Sequence, residues 1–277
     1  MLYYIYMEKL SFITTKSDNI INHLTEKGFA YNYINKLLRS KDIKVDKKPI
    51  KENIIVDEGK EITVFYQPVQ NTNSPKIEII YEDDNILIIN KPKGIEVEGE
   101  NSLTKLLNAF AVHRLDRNTT GLMVFAKNKI SQNILLDAFK NHNITKKYMA
   151  EVAGKANFKN KVFKAFLVKD SKNGIVKIFQ KQVKGAKEII TIFNTVKISQ
   201  ESSLIECSLL TGRTHQIRAS LAYLGYPIIG DSKYGKNEIN RKFKEKSQKL
   251  HCFYLKFNKL EKPLSYLSGK EFVIKQF

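Results

Sequence analysis

The stretch HRLDRNTTGLMVFAK, residues 113–127, sets one carboxylate, Asp116, between Arg114 and Arg117, with His113 just ahead and an apolar run just behind. A carboxylate beside guanidinium groups is favoured in its charged form, which suits a nucleophile or an electrostatic partner better than a proton donor. A second stretch, TGRTHQIR, residues 211–218, carries Arg213, His215 and Arg218. Of 47 basic residues, 41 are Lys and six are Arg, yet four of the six arginines fall within residues 113–117 and 213–218, which contain no Lys. Those positions call for a planar, permanently charged, two-pronged donor that Lys cannot supply. No metal-ligand cluster, Gly-rich phosphate loop or Ser-His-Asp arrangement accompanies them. The economical enzyme reading is therefore covalent or electrostatic catalysis by a lone aspartate on a polyanion, with no cofactor or metal. Two other readings stay open on the residues alone. Asp116 could fold its own loop, by pairing with an arginine and capping backbone N–H groups. Alternatively, His113 and His215 could be acid and base in phosphodiester cleavage.

The elements around these segments must hold them in place. HRLDRNTT has no period, whereas GLMVFAK is a compact apolar run entered through a glycine, so Asp116 belongs on a loop feeding a buried strand. KISQNILLDAFKNH follows with Ile130, Ile134, Leu135 and Phe139 at helical spacing, and TKKYMAEVAG alternates as a strand displaying Tyr148 beside Ala150 and Val152. SLIECSLL reads as a strand that runs through Thr211 and Gly212 into a helix beginning near Arg213 to His215. Gly212 is the break and Thr214 the cap of that helix, and Ile217, Leu221 and Leu224 mark its buried side. Its positive end faces whatever lies beyond the strand, an anion-friendly corner. Upstream, KIEIIYEDDNILIIN reads as two strands joined at an Asp-Asn turn. Residues 155–200 read as antiparallel scaffold with a hairpin at Asn173–Gly174, and LHCFYLKF as the last strand. Strands with a few helices predict an α+β domain around a largely antiparallel sheet.

At 277 residues the chain is long enough for two modest domains. Hydrophobic residues at 42% and charged residues at 27% exclude global disorder, and a formal charge of +19 fits a polyanionic partner, nucleic acid or an anionic membrane surface. Much of the Lys is still a solvated surface. No apolar run reaches membrane-spanning length and MLYYIYMEKL lacks the layout of a signal peptide, so the expected location is the cytoplasm. Cys207 and Cys252 have no metal-ligand spacing and are read as core residues. PVQNTNSPK carries the expected domain boundary, with a linker at 71–76 between a small unit, 1–70, and a larger one, 77–277. In the small unit a basic helix spans Tyr31 to Arg39, followed by a strand, a Lys-Pro turn, and IIVDEGKEITVFY as a closing strand. Lys36 and Arg39, three residues apart, share a face of that helix and could straddle phosphates, or could simply be solvated.

HRLDRNTTGLMVFAK resembles the signature loop of RluA-type pseudouridine synthases. NKPKG, KKYMAEVAG, TGRTHQIR, GYPIIGDSKYG and LHCFYLKF match the same family in order over residues 77–260, and the small unit resembles an alpha-L type RNA-binding domain. The resemblance implies the pseudouridine synthase fold, a sheet with flanking helices and a central RNA-binding cleft. It implies isomerisation of uridine to pseudouridine in structured RNA, above all large-subunit ribosomal RNA, without cofactor or metal, and nothing in the sequence demands more than a monomer. It makes Asp116 the catalytic aspartate, Tyr148 the residue stacked on the target base and Arg218 the partner of the aspartate. Arg114 would hold or replace the flipped nucleotide. Arg117, Arg213, His215, Lys36 and Arg39 are the other candidate RNA contacts. The chain departs from the family pattern in three places: Ala219 and Ser220 follow Arg218 without the usual histidine, Tyr226 replaces another histidine, and Lys60 follows Gly59 where Asp is common. The rival reading is a non-catalytic RNA-binding or ribosome-assembly protein of the same fold.

Overall fold

The computed structural model describes residues 8–29, 31–66 and 77–275. The chain divides into two compact units, Met1–Ser74 and Pro75–Phe277; the expected linker, 71–76, lies outside the described residues. No helix among the described residues is long and apolar enough to cross a membrane.

The first unit runs β1 (Glu8–Ile13), β2 (Asp18–Asn19), α1 (Ile20–Glu26), α2 (Tyr31–Ser40), β3 (Ile43–Val45), β4 (Lys48–Ile50), β5 (Ile55–Val56) and β6 (Glu61–Tyr66). Four strands form a sheet in the order β1-β6-β3-β4, and β2 pairs with β5 separately. Helix α2 forms as the periodicity predicts: Ile34, Leu37 and Leu38 are buried against Ile20, Leu24, Ile43, Ile62 and Val64, while Lys36 and Arg39 are exposed. The Lys-Pro turn is corrected. The chain reverses at Asp46 and Lys47, both left-handed at φ 46° and 68°, and Pro49 sits opposite Lys44 in β4. As an edge strand, β4 tolerates a residue without an N–H. IIVDEGKEITVFY is likewise two strands, broken where Gly59 takes φ 82°.

The second unit runs β7 (Glu78–Glu82), β8 (Ile86–Lys91), α3 (Leu103–Leu106), β9 (Phe110–Ala111), β10 (Thr120–Ala126), α4 (Lys129–Lys140), β11 (Ile144–Ala153), β12 (Lys161–Asp170), β13 (Ile175–Phe179), β14 (Lys187–Ile198), β15 (Ser202–Leu209), α5 (Gln216–Tyr223), α6 (Asn237–Lys242), β16 (Leu250–Phe257) and β17 (Glu271–Val273). Its large sheet has the order β13-β12-β14-β15-β11-β16-β10-β8-β7, with β9 on β10 and β17 on β16. The fold is α+β, and every pair of strands is antiparallel except β10 with β16. The hairpin β7–β8 closes at Asp83, whose Oδ1 accepts the N–H groups of Asn85 and Ile86, both at 2.8 Å. GLMVFAK is the buried strand expected: Leu122 to Ala126 are fully inaccessible. Two expectations fail. Ile130 is 65% exposed, because α4 turns Ser131, Leu135 and Ala138 inward instead. LHCFYLKF, as β16, is followed by one more strand, β17. Cys207 and Cys252 are both fully buried.

Candidate active site

Strand β8 and strand β10 fix the loop 113–119 from below. Lys91, the last residue of β8, is fully buried and its Nζ donates to the carbonyls of Pro92 and Arg117, each at 2.9 Å, and of Thr119 at 3.2 Å. Burial pushes its ammonium down to about 8, with the charge of Asp116 pulling the other way. Gly94 and Arg117 exchange two bonds, Gly94 N to Arg117 O at 2.9 Å and Arg117 Nε to Gly94 O at 3.0 Å. The Thr119 N–H donates to Asp116 O at 3.0 Å, and Gln248 Nε2 donates to the Thr119 hydroxyl, also at 3.0 Å. The loop is therefore folded by backbone carbonyls and a buried cation, not by the Asp116 side chain.

That carboxylate reaches across the unit. Its Oδ2 accepts from Arg218 Nη1 at 2.8 Å, and Arg218 Nε and Nη2 fork onto Oδ2 and Oδ1 of Asp231 at 2.7 and 2.8 Å. Arg218 is 4% exposed and Asp231 not at all. Burial would lower the guanidinium, but the two carboxylates win and hold it well above its ordinary value. Burial would likewise raise Asp231, yet Arg218 and the N–H groups of Lys233 and Tyr234 hold it below the usual carboxylate range. Among the described residues neither Arg114 nor Arg117 bonds to Asp116, and both are exposed. The reading of Asp116 as a loop-folding residue is thereby set aside.

Helix α5 positions Arg218, and its start differs from expectation. The N-cap position is His215, left-handed at φ 54° with no side-chain cap, so Thr214 is not the cap. Gln216, the first helical residue, instead ties down the turn before it: its Oε1 accepts from Arg213 N and from the Thr211 hydroxyl, both at 3.0 Å, while its Nε2 donates to Thr191 at 2.9 Å. His215 then turns its ring inward, with Nε2 3.8 Å from Asp116 Oδ2 and Nδ1 2.9 Å from the Tyr234 hydroxyl. Ile217 and Leu221 are buried as predicted, and Leu224 packs partly buried on the same core.

Tyr148 lies on β11, 4% exposed, with Cys207 and Cys252 as its cross-strand neighbours. The register with β16 slips beside it, since Lys147 faces Tyr254 and Tyr148 faces Cys252. Phe253 is thus the bulged residue, a device that re-aims side chains at a site. Burial, then the Cys252 thiol and the Asp116 charge, raise the Tyr148 hydroxyl well above its ordinary value.

Two cavities meet at Asp116. A cleft of about 430 Å³ is lined by Arg114, Asp116, Arg117, His215, Arg218 and Lys233, with Glu96 and Glu98 opposite. A recess of about 60 Å³ shares Arg114, Asp116, His215 and Arg218 but is floored by Tyr148, Leu209, Ile217 and Leu250, with Arg213 at its edge. A charged cleft beside a smaller, partly apolar recess suits a sugar-phosphate and a base respectively. Lys36 and Arg39 belong to the other compact unit. His113 is apart from both cavities: its Nε2 accepts from Val124 N at 3.1 Å, its ring packs 4.5 Å from that of Phe139, and burial and Lys146 keep it neutral. An acid–base pair of His113 with His215 lacks the geometry.

Lys91, Asp231, Tyr234 and Gln216 carry the site's support without having been singled out from sequence. The available signals were a Lys-Pro pair ending a strand and an Asp between two glycines, in NKPKG and GDSKYG.

Comparison with known proteins identifies a family. The family model described as RNA pseudouridylate synthase matches residues 85–223. An uncharacterized RNA pseudouridine synthase of Mycoplasma genitalium is 37% identical over 210 residues, 67% of this chain. The chain spans 65% of that relative's length and 48% of another's. The ribosomal large subunit pseudouridine synthase C of Escherichia coli is 32% identical over 256 residues, 83% of this chain and 79% of that one. The solved structure of human RNA pseudouridylate synthase domain containing 1 superposes with a TM-score of 0.62 at 25% identity, covering 73% of this chain and 84% of its own. A family match across half the chain and a relative aligned along most of both lengths settle the kinship: the chain belongs to the RluA-type family of RNA pseudouridine synthases.

Proposed function

We propose that this protein isomerises uridine to pseudouridine in structured RNA, with large-subunit ribosomal RNA as its substrate, acting as a monomer in the cytoplasm. The observation that carries the reading is the state of Asp116. One carboxylate oxygen is held by a buried arginine, the other accepts no hydrogen bond among the described residues, and the group sits where a charged cleft meets a smaller, partly apolar recess that Tyr148 also lines.

The chemistry follows from the placement of these groups. A uridine turned out of its stack lays its base in the recess against Tyr148 and its ribose toward Asp116 Oδ1. Arg114 and Arg117, exposed beside the cleft, meet the flanking phosphates and offset the few kcal/mol that unstacking costs. Asp116 attacks the anomeric carbon or assists departure of uracil as the N1–C1′ bond breaks. The base turns, C5 bonds to C1′ as any bond from Asp116 to C1′ breaks and the carboxylate is regenerated, C5 gives up its proton to solvent and N1 takes one from solvent. Atoms and electrons balance without any oxidant or cofactor. Arg218, charged throughout and locked by Asp231, keeps the carboxylate aimed at one position, which is where preorganisation lowers a barrier. Large-subunit RNA is favoured over other RNAs because the relative aligned along most of both chains is named for that substrate.

The test is carbodiimide adduct formation and primer extension on ribosomal RNA from cells lacking the protein, complemented with wild type or Asp116→Asn. Wild type should restore a defined set of pseudouridines and the isosteric variant none. RNA binding with no pseudouridine from either would leave the rival, a non-catalytic RNA-binding protein. Marks restored only in transfer RNA would keep the activity and change the substrate.

A further inference from the structure

Three groups in line fix a proton that no hydrogen-bond distance alone would reveal. The Val176 N–H donates to the Tyr234 hydroxyl oxygen at 2.7 Å, and that hydroxyl lies 2.9 Å from His215 Nδ1. A backbone N–H can only donate, so the Tyr234 oxygen is the acceptor there, and its own hydrogen is free to go to His215. Burial raises the Tyr234 hydroxyl to about 12, so it keeps that hydrogen. Nδ1 is then an acceptor. A neutral imidazole carries one N–H, and the identity of the bonded nitrogen decides which. Burial and the charge of Arg218 favour the neutral ring, against the pull of Asp116.

Resting on the reading of Asp116 as the reacting group, we propose that His215 is a positioning residue, held by Tyr234 as the Nε2–H tautomer so that it presents a donor to Asp116 Oδ2 and leaves Oδ1 as the reacting oxygen. The Nε2–Oδ2 separation is 3.8 Å, beyond a hydrogen bond, and contacts of this kind tighten when substrate fills a site. Arg218 Nη1 already holds the same oxygen at 2.8 Å. Both donors therefore converge on Oδ2. The left-handed backbone of His215, at φ 54°, is the unfavourable conformation that swings the ring back toward Tyr234 instead of out with Arg213. Arg218 also lies 5.3 Å over the Tyr234 ring, so both donors to Oδ2 are braced by one tyrosine. This assigns His215 to the carboxylate and not to RNA, and it gives Tyr234 a part in positioning.

The tautomer is read directly from ¹⁵N–¹H long-range spectra of the full-length protein labelled at histidine, at neutral pH without RNA. His215 should show a protonated Nε2 and a bare Nδ1; a protonated Nδ1 overturns the proposal. Tyr234→Phe, which keeps the ring and loses the hydroxyl, should turn the signal into a tautomer mixture. In single-turnover assays on a ribosomal RNA fragment, His215→Ala and Tyr234→Phe should slow conversion about ten- to hundredfold, the range of a lost hydrogen bond to a charged group, with RNA affinity unchanged. His215→Gln, whose amide can donate from a similar place, should recover most of the rate lost in His215→Ala. Weakened RNA affinity with an undiminished bound-state rate in His215→Ala would overturn the assignment and return His215 to RNA contact. A wild type with the Nε2–H tautomer but no pseudouridine would bring down the catalytic reading itself, an outcome distinct from the wrong tautomer in an active enzyme.

Discussion

Lys91 is a buried cation with three backbone carbonyls and, among the described residues, no carboxylate bonded to it. Carbonyl dipoles and the nearby charge of Asp116 only partly offset its lost hydration, which is why its ammonium falls to about 8 from an ordinary 10.5. The linkage has a definite sign. Between about pH 8 and 10.5 the unfolded chain holds a proton on this lysine that the folded protein has released, so stability rises with pH across that window. The slope reaches at most about 1.4 kcal/mol per pH unit for one proton. Lys91→Met lacks the titration while retaining a long apolar stem. Urea unfolding of both proteins at pH 7.5 and 9.5 should show the stability difference shifting in favour of the wild type at the higher pH. A difference that stays constant would mean Lys91 titrates alike in the folded and unfolded states. Burial of this ammonium is the cost of the loop's precision, because the bonds that partly offset it are those that hold the Arg117 and Thr119 carbonyls beside Asp116.

At the scale of elements the decisive contact is the parallel seam between β10 and β16, only two residue pairs long, Thr120 with His251 and Gly121 with Cys252. Gly121 takes φ 110°, and a Cβ there would lie 2.3 Å from Cys252 O and 2.6 Å from Cys252 N. No flexible side chain can yield, because both atoms are backbone. Gly121→Ala should therefore cost about 3 kcal/mol or more, from left-handed strain plus overpacking, and it should displace the Asp116 loop. Thermal melts and the single-turnover rate read the two effects, and a variant as stable and active as wild type would show that the seam relaxes freely. The glycine at the entrance of GLMVFAK was legible in the sequence; its reason was not, because the backbone it must meet lies 131 residues away along the chain. The same division runs through the site. A basic helical stretch gave α2, a compact apolar run gave β10, an Asp-Asn turn gave the hairpin β7–β8 and helical spacing gave the inward Ile217 and Leu221, since those signals are written locally. Helical spacing misassigned Ile130, because it defines a stripe but not the angle at which α4 rolls onto its sheet. None of these signals could reach the Asp231 fork on Arg218, the Gln216 staple or the left-handed His215, which depend on partners brought together only by the fold. The clustering of arginines in a lysine-rich chain marked both segments as sites that need a guanidinium, because a rare residue type carries information that a common one does not; the pairing of Arg218 with Asp116 came from the family resemblance, not from the count.

For the whole molecule the governing quantity is a formal charge of +19 spread over two compact units. Such a charge attracts any polyanion, so net binding by itself says little about where RNA lies. The salt dependence is more discriminating. Each phosphate neutralised by a cation adds roughly 0.7 to 0.9 to the slope of log K against log salt, so the slope counts contacts. Lys36 and Arg39 stand exposed on α2, three residues apart, and neither is joined to an acidic side chain among the described residues. If the first unit holds RNA as an alpha-L type domain would, Lys36→Gln combined with Arg39→Gln should reduce the slope by about 1.5 while leaving the rate of bound substrate intact. Arg114→Gln should act on both quantities, because that side chain lines the cleft and the recess at Asp116. Filter binding of a ribosomal RNA fragment between 50 and 300 mM salt, with single-turnover rates at saturation, separates the two. An unchanged slope in the double variant would make that face of α2 a solvated surface in a lysine-rich protein. Recognition would then fall to the larger unit, whose cleft already gathers Arg114, Arg117 and Arg218 around Asp116.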